Sequence, residues 1–246
     1  MILNEGGNVF KTADGGEATQ RINKADVEPT LKWLEKITGL DHVNFMLGST
    51  GIKPTSGDLD VAVDKEKVDK NGLVAKLKAW KDKNAPDDED RAWIAKTGIS
   101  VHFKTPINGD PKKGFVQTDL MFGDPKFMQF ALRGAADSEF KGQHRMIMIA
   151  SIAKAQGYKW SPTNGLVDRI TNEPVTKDPN EVAKTLMGDS ASADDMRSVE
   201  TINKKIKTDP NYENLVKDAR DYFENCLLYT SPSPRDRTRS RMPSSA

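Results

Sequence analysis

The chain has 246 residues, 36% hydrophobic and 30% charged, a balance that excludes a low-complexity chain and leaves enough length for a substantial core. Lys and Arg total 37 against 36 Asp and Glu, a net charge of +1 that excludes a surface coated in basic charge. A single cysteine, Cys226, excludes a disulfide framework and suits a reducing cytoplasm, and no apolar run is long enough for a membrane span.

The first 20 residues are Gly-rich and weakly patterned, which predicts a mobile arm or a loosely docked cover. Val27, Leu31, Leu34 and Ile37 recur at helical spacing, and Gly39 ends that helix. Residues 43–47 read as a strand running into Gly48, and residues 59–63 read as the next strand. A helix is predicted over 69–83, with Leu73, Val74, Leu77 and Trp80 inward. An acidic loop follows at 86–90. Residues 99–104 and 115–122 form a hairpin about the Pro- and Gly-rich stretch 106–111. From Lys126 the pattern is largely helical, with an apolar segment at 146–155 and amphipathic, charged helices at 193–207 and 212–225.

The most informative stretch is Gly48-Ser49 followed by Asp58-Leu59-Asp60-Val61. Residues two apart on a strand share a face, so Asp58 and Asp60 place both carboxylates on one side. Two carboxylates that close repel unless a cation lies between them, and a hard divalent ion is the natural one. A third acid, Asp119, sits among apolar residues in the strand predicted at 115–122. An acid buried in a strand is costly unless it is paired or holds a metal. An aspartate pair plus one strand aspartate is the ligand set of a two-metal phosphoryl-transfer site. His102 is expected to be packed or hydrogen-bonded beside this site, since Mg²⁺ prefers oxygen.

Gly48-Ser49, a short loop, Asp58-Leu59-Asp60-Val61 and the distal Asp119 resemble the polymerase β superfamily of nucleotidyltransferases. The form Ser56-Gly57-Asp58-Leu59-Asp60 is most similar to the family X DNA polymerases. Thr97-Gly98-Ile99-Ser100-Val101-His102-Phe103 followed by Gln117-Thr118-Asp119-Leu120 is similar to that family's palm hairpin. Phe140-Lys141-Gly142-Gln143-His144-Arg145, Gly165-Leu166, Asn172-Glu173-Pro174-Val175 and Glu181-Val182 are similar to its thumb, so the resemblance spans about residues 27–190.

That resemblance implies an α/β (α+β) fold. An arm at 1–26 precedes a catalytic palm at 27–125, built on a small mixed sheet, and a mainly helical thumb-like region at 126–225 follows. It implies metal-dependent transfer of a nucleotide from a nucleoside triphosphate to a hydroxyl, with release of pyrophosphate. Two Mg²⁺ (or Mn²⁺) ions are expected, held by Asp58, Asp60 and Asp119 as catalytic residues, with Asp119 helping to deprotonate the attacking hydroxyl. Gly48 and Ser49 would hold the nucleotide phosphates through backbone N–H groups, with Lys53 adding charge. Arg133, Lys141 and Arg145 would contact triphosphate, base or template strand. A nucleic-acid 3′ end is the leading acceptor. A small-molecule or protein acceptor stays open, as does a non-catalytic nucleotide- or nucleic-acid-binding relative.

The sequence from Cys226 to Asp236, and again from Arg239 to Ala246, resembles a translated sequencing adapter. Residues 226–246 are therefore expected to be non-native and to add nothing to the fold, with the native gene continuing past Asn225. They hold Arg235, Arg237, Arg239 and Arg241 against Asp236. Without them basic residues fall from 37 to 33 and acidic from 36 to 35, so the net charge becomes −2.

Overall fold

A computed structural model describes residues 8–140 and 142–230. Lys141, residues 1–7 and residues 231–246 lie outside that range, and with them the expectations for Lys141, for the start of the arm and for most of the adapter-like tail.

The first elements are a short strand β1 (Ile22–Asn23) and helix α1 (Lys24–Thr38). Val27, Leu31 and Leu34 form the buried stripe of α1, and Gly39 closes it in the left-handed region at φ 74. β2 (Thr55–Ser56) pairs antiparallel with β1. β3 (Asp58–Asp64) leads into helix α2 (Lys70–Asn84), whose N-terminus is capped by the Asp69 carboxylate accepting from the Gly72 N–H. Then come β4 (Ile94–Thr97), β5 (Ser100–Pro106) and β6 (Phe115–Gly123).

These four strands make one mixed sheet in the order β3-β6-β5-β4, with only the β3–β6 pair parallel. Strand alternation sends Leu59, Val61, Val101, Phe103 and Leu120 into a core with Leu31 and Leu34 of α1 and Leu73 and Leu77 of α2. Trp80 of α2 makes edge contacts there, its ring centroid 5.1 Å from that of Trp33 and 5.9 Å from that of Phe103. Asp58 and Asp60 are consequently turned to the other face of the sheet.

Two expectations for this half are corrected. Residues 43–47 do not form a strand. Val43–Phe45 is a 3-10 turn, and only Met46 bridges to Val61. Side chains offer the backbone a local alternative: the Glu35 carboxylate accepts from the N–H groups of His42 and Val43, and Asp41 accepts from that of Asn44. The edge strand β4 was not anticipated, because Ile94-Ala95-Lys96-Thr97 carries little apolar alternation and is defined by its pairing with β5.

The segment before β1 is docked. Phe10 is 1% exposed, the Val9 N–H donates to Gln117 Oε1 at 2.8 Å, and the Gln20 N–H donates to the Phe115 carbonyl.

The second half holds α3 (Pro125–Leu132), α4 (Gly142–Ala155), β7 (Tyr158–Ser161), β8 (Gly165–Asp168), β9 (Pro174–Thr176), α5 (Pro179–Met187), α6 (Val199–Ile206) and α7 (Tyr212–Thr230). Ile149, Ile152, Leu166, Val182, Leu186, Ile202 and Leu215 form its core. The antiparallel sheet β7-β8-β9 interrupts the largely helical pattern expected there. Its turns were written in the sequence as Asn164-Gly165 and Asn172, with φ 72 at Gly165 and 62 at Asn172. The backbone of α7 continues through residue 230, past the boundary expected at 225. The fold is therefore mixed α/β, a four-stranded sheet followed by a half of helices around a three-stranded one. No described helix is long and apolar enough to cross a membrane.

Candidate metal centre

Parallel pairing of β3 with β6 sets Asp60 directly beside Asp119, and antiparallel pairing of β6 with β5 sets Asp119 beside His102. Asp58, Asp60 and Asp119 each offer a carboxylate oxygen, and the three lie within 4.8 Å of one another. Their environments differ. Asp119 Oδ1 accepts from His102 Nδ1 at 2.6 Å and from Gln117 Nε2 at 2.9 Å. Among the described residues no donor is hydrogen-bonded to the Asp60 carboxylate.

At Asp60 the charge is concentrated without a compensating partner. Burial, then the neighbouring Asp58 and Asp119, push the Asp60 carboxyl up to about 8. Burial and the Asp119 charge also raise Asp58, while its own backbone N–H and Arg21 act in the opposite direction. Such an oxygen-only cluster, with two carboxyls resisting ionisation, fits a hard divalent cation, which would supply the missing positive charge. Arg21, whose guanidinium is held by Thr55, is a neighbour of this site that the sequence reading missed.

The loop before β3 is shaped around the same group. Gly48 has φ +54, and a Cβ there would lie 2.8 Å from Asp60 Oδ2. The Leu47 N–H donates to the Asp60 carbonyl, and the Asp60 N–H donates to Thr50 Oγ1. Ser49 is exposed, and among the described residues no acceptor takes the N–H of Gly48 or Ser49. Lys53 is exposed further along this loop. Replacement of Gly48 by Ala is expected to cost on the order of 1–3 kcal/mol, since it strains the backbone and crowds the carboxylate. Urea melts check the cost, and Mn²⁺ titration checks the displaced Asp60.

Arg133 and Arg145 are both engaged by backbone carbonyls. Arg133 Nη1 donates to the carbonyls of Leu47 (3.2 Å) and Thr50 (2.6 Å), so it braces the Gly48 loop from the side of α3. Arg145 is 3% exposed. Its guanidinium donates to the carbonyls of Phe130, Ala131, Arg133 and Met196. The first two are among the last carbonyls of α3, which lack partners within the helix. Arg145 therefore does not join the carboxylates: its buried guanidinium caps α3 and leaves no face for a nucleotide.

The raised carboxyls make stability depend on pH. A carboxyl whose folded-state value lies above the ordinary 3.8 contributes stability that is full below 3.8 and is lost as pH rises toward about 8. His42 opposes this at low pH. Burial lowers it from 6.5 to about 4, so its contribution is lost as pH falls below 6.5. Between pH 6.5 and 8 the aspartates act alone of these. Metal-free protein is expected to lose on the order of 1–2 kcal/mol across that interval, and saturating Mg²⁺ is expected to restore it. Urea melts at both pH values, with EDTA and with Mg²⁺, measure the difference. A flat profile in EDTA would refute the clustered charge.

No family model and no curated protein matches the chain. Among solved structures, the polymerase beta of Leishmania infantum in a ternary P/T complex is similar over 73% of this chain and 72% of that one, with 14% identity and a TM-score of 0.43.

Proposed function

We propose that the protein is a divalent-metal-dependent nucleotidyltransferase. It moves a nucleotide from a nucleoside triphosphate to a hydroxyl and releases pyrophosphate. The observation that carries this reading is the convergence of Asp58, Asp60 and Asp119, from two adjacent parallel strands, beside the Gly48 loop, whose Gly48 and Ser49 N–H groups have no acceptor among the described residues.

Asp58 and Asp60 would hold the metal pair, Mg²⁺ or Mn²⁺, with Asp119 as the third ligand. The ions, when bound, would supply charge neutralisation for the triphosphate and would acidify the attacking hydroxyl. The carboxylate of Asp119, Oδ1 of which holds two donors, would help to draw off the proton of that hydroxyl. The N–H groups of Gly48 and Ser49 receive the phosphates as an anion nest, and Lys53 adds charge at the loop's outer side. The rest is positioning, so no side-chain nucleophile is needed.

On this reading residues 27–125 are the catalytic palm-like unit and residues 126–225 the thumb-like one. The compartment suited to it is a reducing cytoplasm. The resemblance of the Ser56–Asp60 motif to family X DNA polymerases favours a nucleic-acid 3′ end as acceptor. The experiment is incubation with Mg²⁺, labelled nucleoside triphosphates and a panel of acceptors: primed DNA, single-stranded DNA and RNA, small hydroxyl compounds, and protein. Extension of a 3′ end supports the favoured acceptor. Labelling of a small molecule or protein keeps the chemistry and replaces the acceptor. Triphosphate binding without pyrophosphate release from any acceptor would leave a non-catalytic binding protein.

A further inference from the structure

Among the described residues, only Asp119 of the three carboxylates is oriented by donors from other side chains. His102 is 7% exposed and Gln117 is 3% exposed, and both give a hydrogen to the same oxygen, Asp119 Oδ1. An ionised carboxylate can only accept, so Nδ1 of His102 carries the hydrogen. Nε2 then faces Thr97 Oγ1, which lies within hydrogen-bond reach and fixes the ring from the edge strand. The Gln117 amide is fixed as well. The Val9 N–H can only donate, and it occupies Gln117 Oε1 at 2.8 Å, which turns the NH₂ group toward Asp119. A file of side chains thus crosses the sheet from Thr97 on β4 through His102 on β5 to Asp119 on β6, where Asp60 of β3 is the next neighbour.

We infer that His102 and Gln117 are positioning residues for Asp119: they hold its Oδ1 so that Oδ2 is presented to the divalent metal. This rests on the nucleotidyl-transfer reading. Neither side chain touches substrate. Their effect is exerted through the angle and basicity of one ligand, and loss of such a supporting partner weakens metal binding by roughly 10–100-fold. The Val9 contact makes the docked residues before β1 part of the same support.

The test is Mn²⁺ binding by calorimetry to EDTA-stripped protein, alongside pyrophosphate release. His102→Phe keeps a ring of similar size and removes the donor, so Mn²⁺ affinity is expected to fall about 10–100-fold. His102→Asn places an amide N–H near the Nδ1 position and is expected to stay within about threefold of wild type. A residue needed only for packing would show the reverse order. Gln117→Met fills the same volume without the amide and is expected to lose about tenfold. It serves as the measurement should His102→Phe fail to fold. Wild-type affinity in folded His102→Phe or Gln117→Met, or Asn as poor as Phe, would overturn the inference alone. A wild-type protein that neither binds Mn²⁺ nor releases pyrophosphate would overturn the nucleotidyl-transfer reading and the inference together.

Discussion

Asp60→Asn is expected to reduce nucleotide transfer by at least roughly a thousandfold, about 4 kcal/mol of barrier, in a protein that stays folded. The substitution keeps the side-chain volume and removes the charge of the carboxylate set directly beside Asp119 in the sheet. Asp60 is also the carboxyl that burial and its two neighbours push up to about 8. A neutral amide therefore relieves repulsion that the metal-free protein bears at pH 8. Metal-free Asp60→Asn is expected to be more stable than wild type there, by about 1–2 kcal/mol, and to lose most of the slope between pH 6.5 and 8. Activity and metal-free stability should thus move in opposite directions. A surface acid would move neither, and a merely structural acid would lower both. Equal turnover by the two proteins would remove Asp60 from the ligand set.

The largest effect on stability outside the apolar cores is expected at Arg145. Arg145→Met keeps the buried stem and deletes the guanidinium, which leaves the carbonyls of Phe130, Ala131, Arg133 and Met196 without their donor. Breaking such a buried network costs about 3 kcal/mol or more, although part of the loss is offset because a buried charge is also removed. At this chain length that corresponds to a melting temperature lower by roughly 6–12 °C. The damage should reach the site indirectly. The Gly134 N–H donates to the Gly48 carbonyl and Arg133 braces the same loop, so a loosened end of α3 loosens the Gly48 turn. The sequence-based expectation of a nucleotide contact makes the opposite forecast, an unchanged melting temperature with a raised KM for the triphosphate. Thermal melts and triphosphate titration on the one variant decide between them.

These two residues show what each level of organisation determines. Asp58 and Asp60 were legible because spacing along one strand is a local property: alternation puts them on one face whatever surrounds the strand. The helices α1 and α2 and the hairpin of β5 and β6 were legible for the same reason, the helices resting on a period of apolar residues and the hairpin on two apolar runs about a turn-rich stretch. Residues 43–47 misled because their apolar run fits a strand, while carboxylates from Glu35 and Asp41 supplied the backbone with other partners. The partners of Asp119 depend on register. His102 stands 17 residues away in sequence and reaches Asp119 only because the hairpin closes in one alignment, and β3 joins β6 in parallel across an intervening helix. The arginines depend on burial. Sequence marks Arg133 and Arg145 as cations near a motif, yet a guanidinium serves equally as a donor for carbonyls of a loop, as in Arg133, or of a helix end, as in Arg145. The ligand set of the proposed centre was thus written locally, in residue types and spacing. Its support, its electrostatic cost and the structural use of the nearby arginines were decided by tertiary pairing, because hydrogen-bond partners and desolvation exist only once distant strands and helices meet.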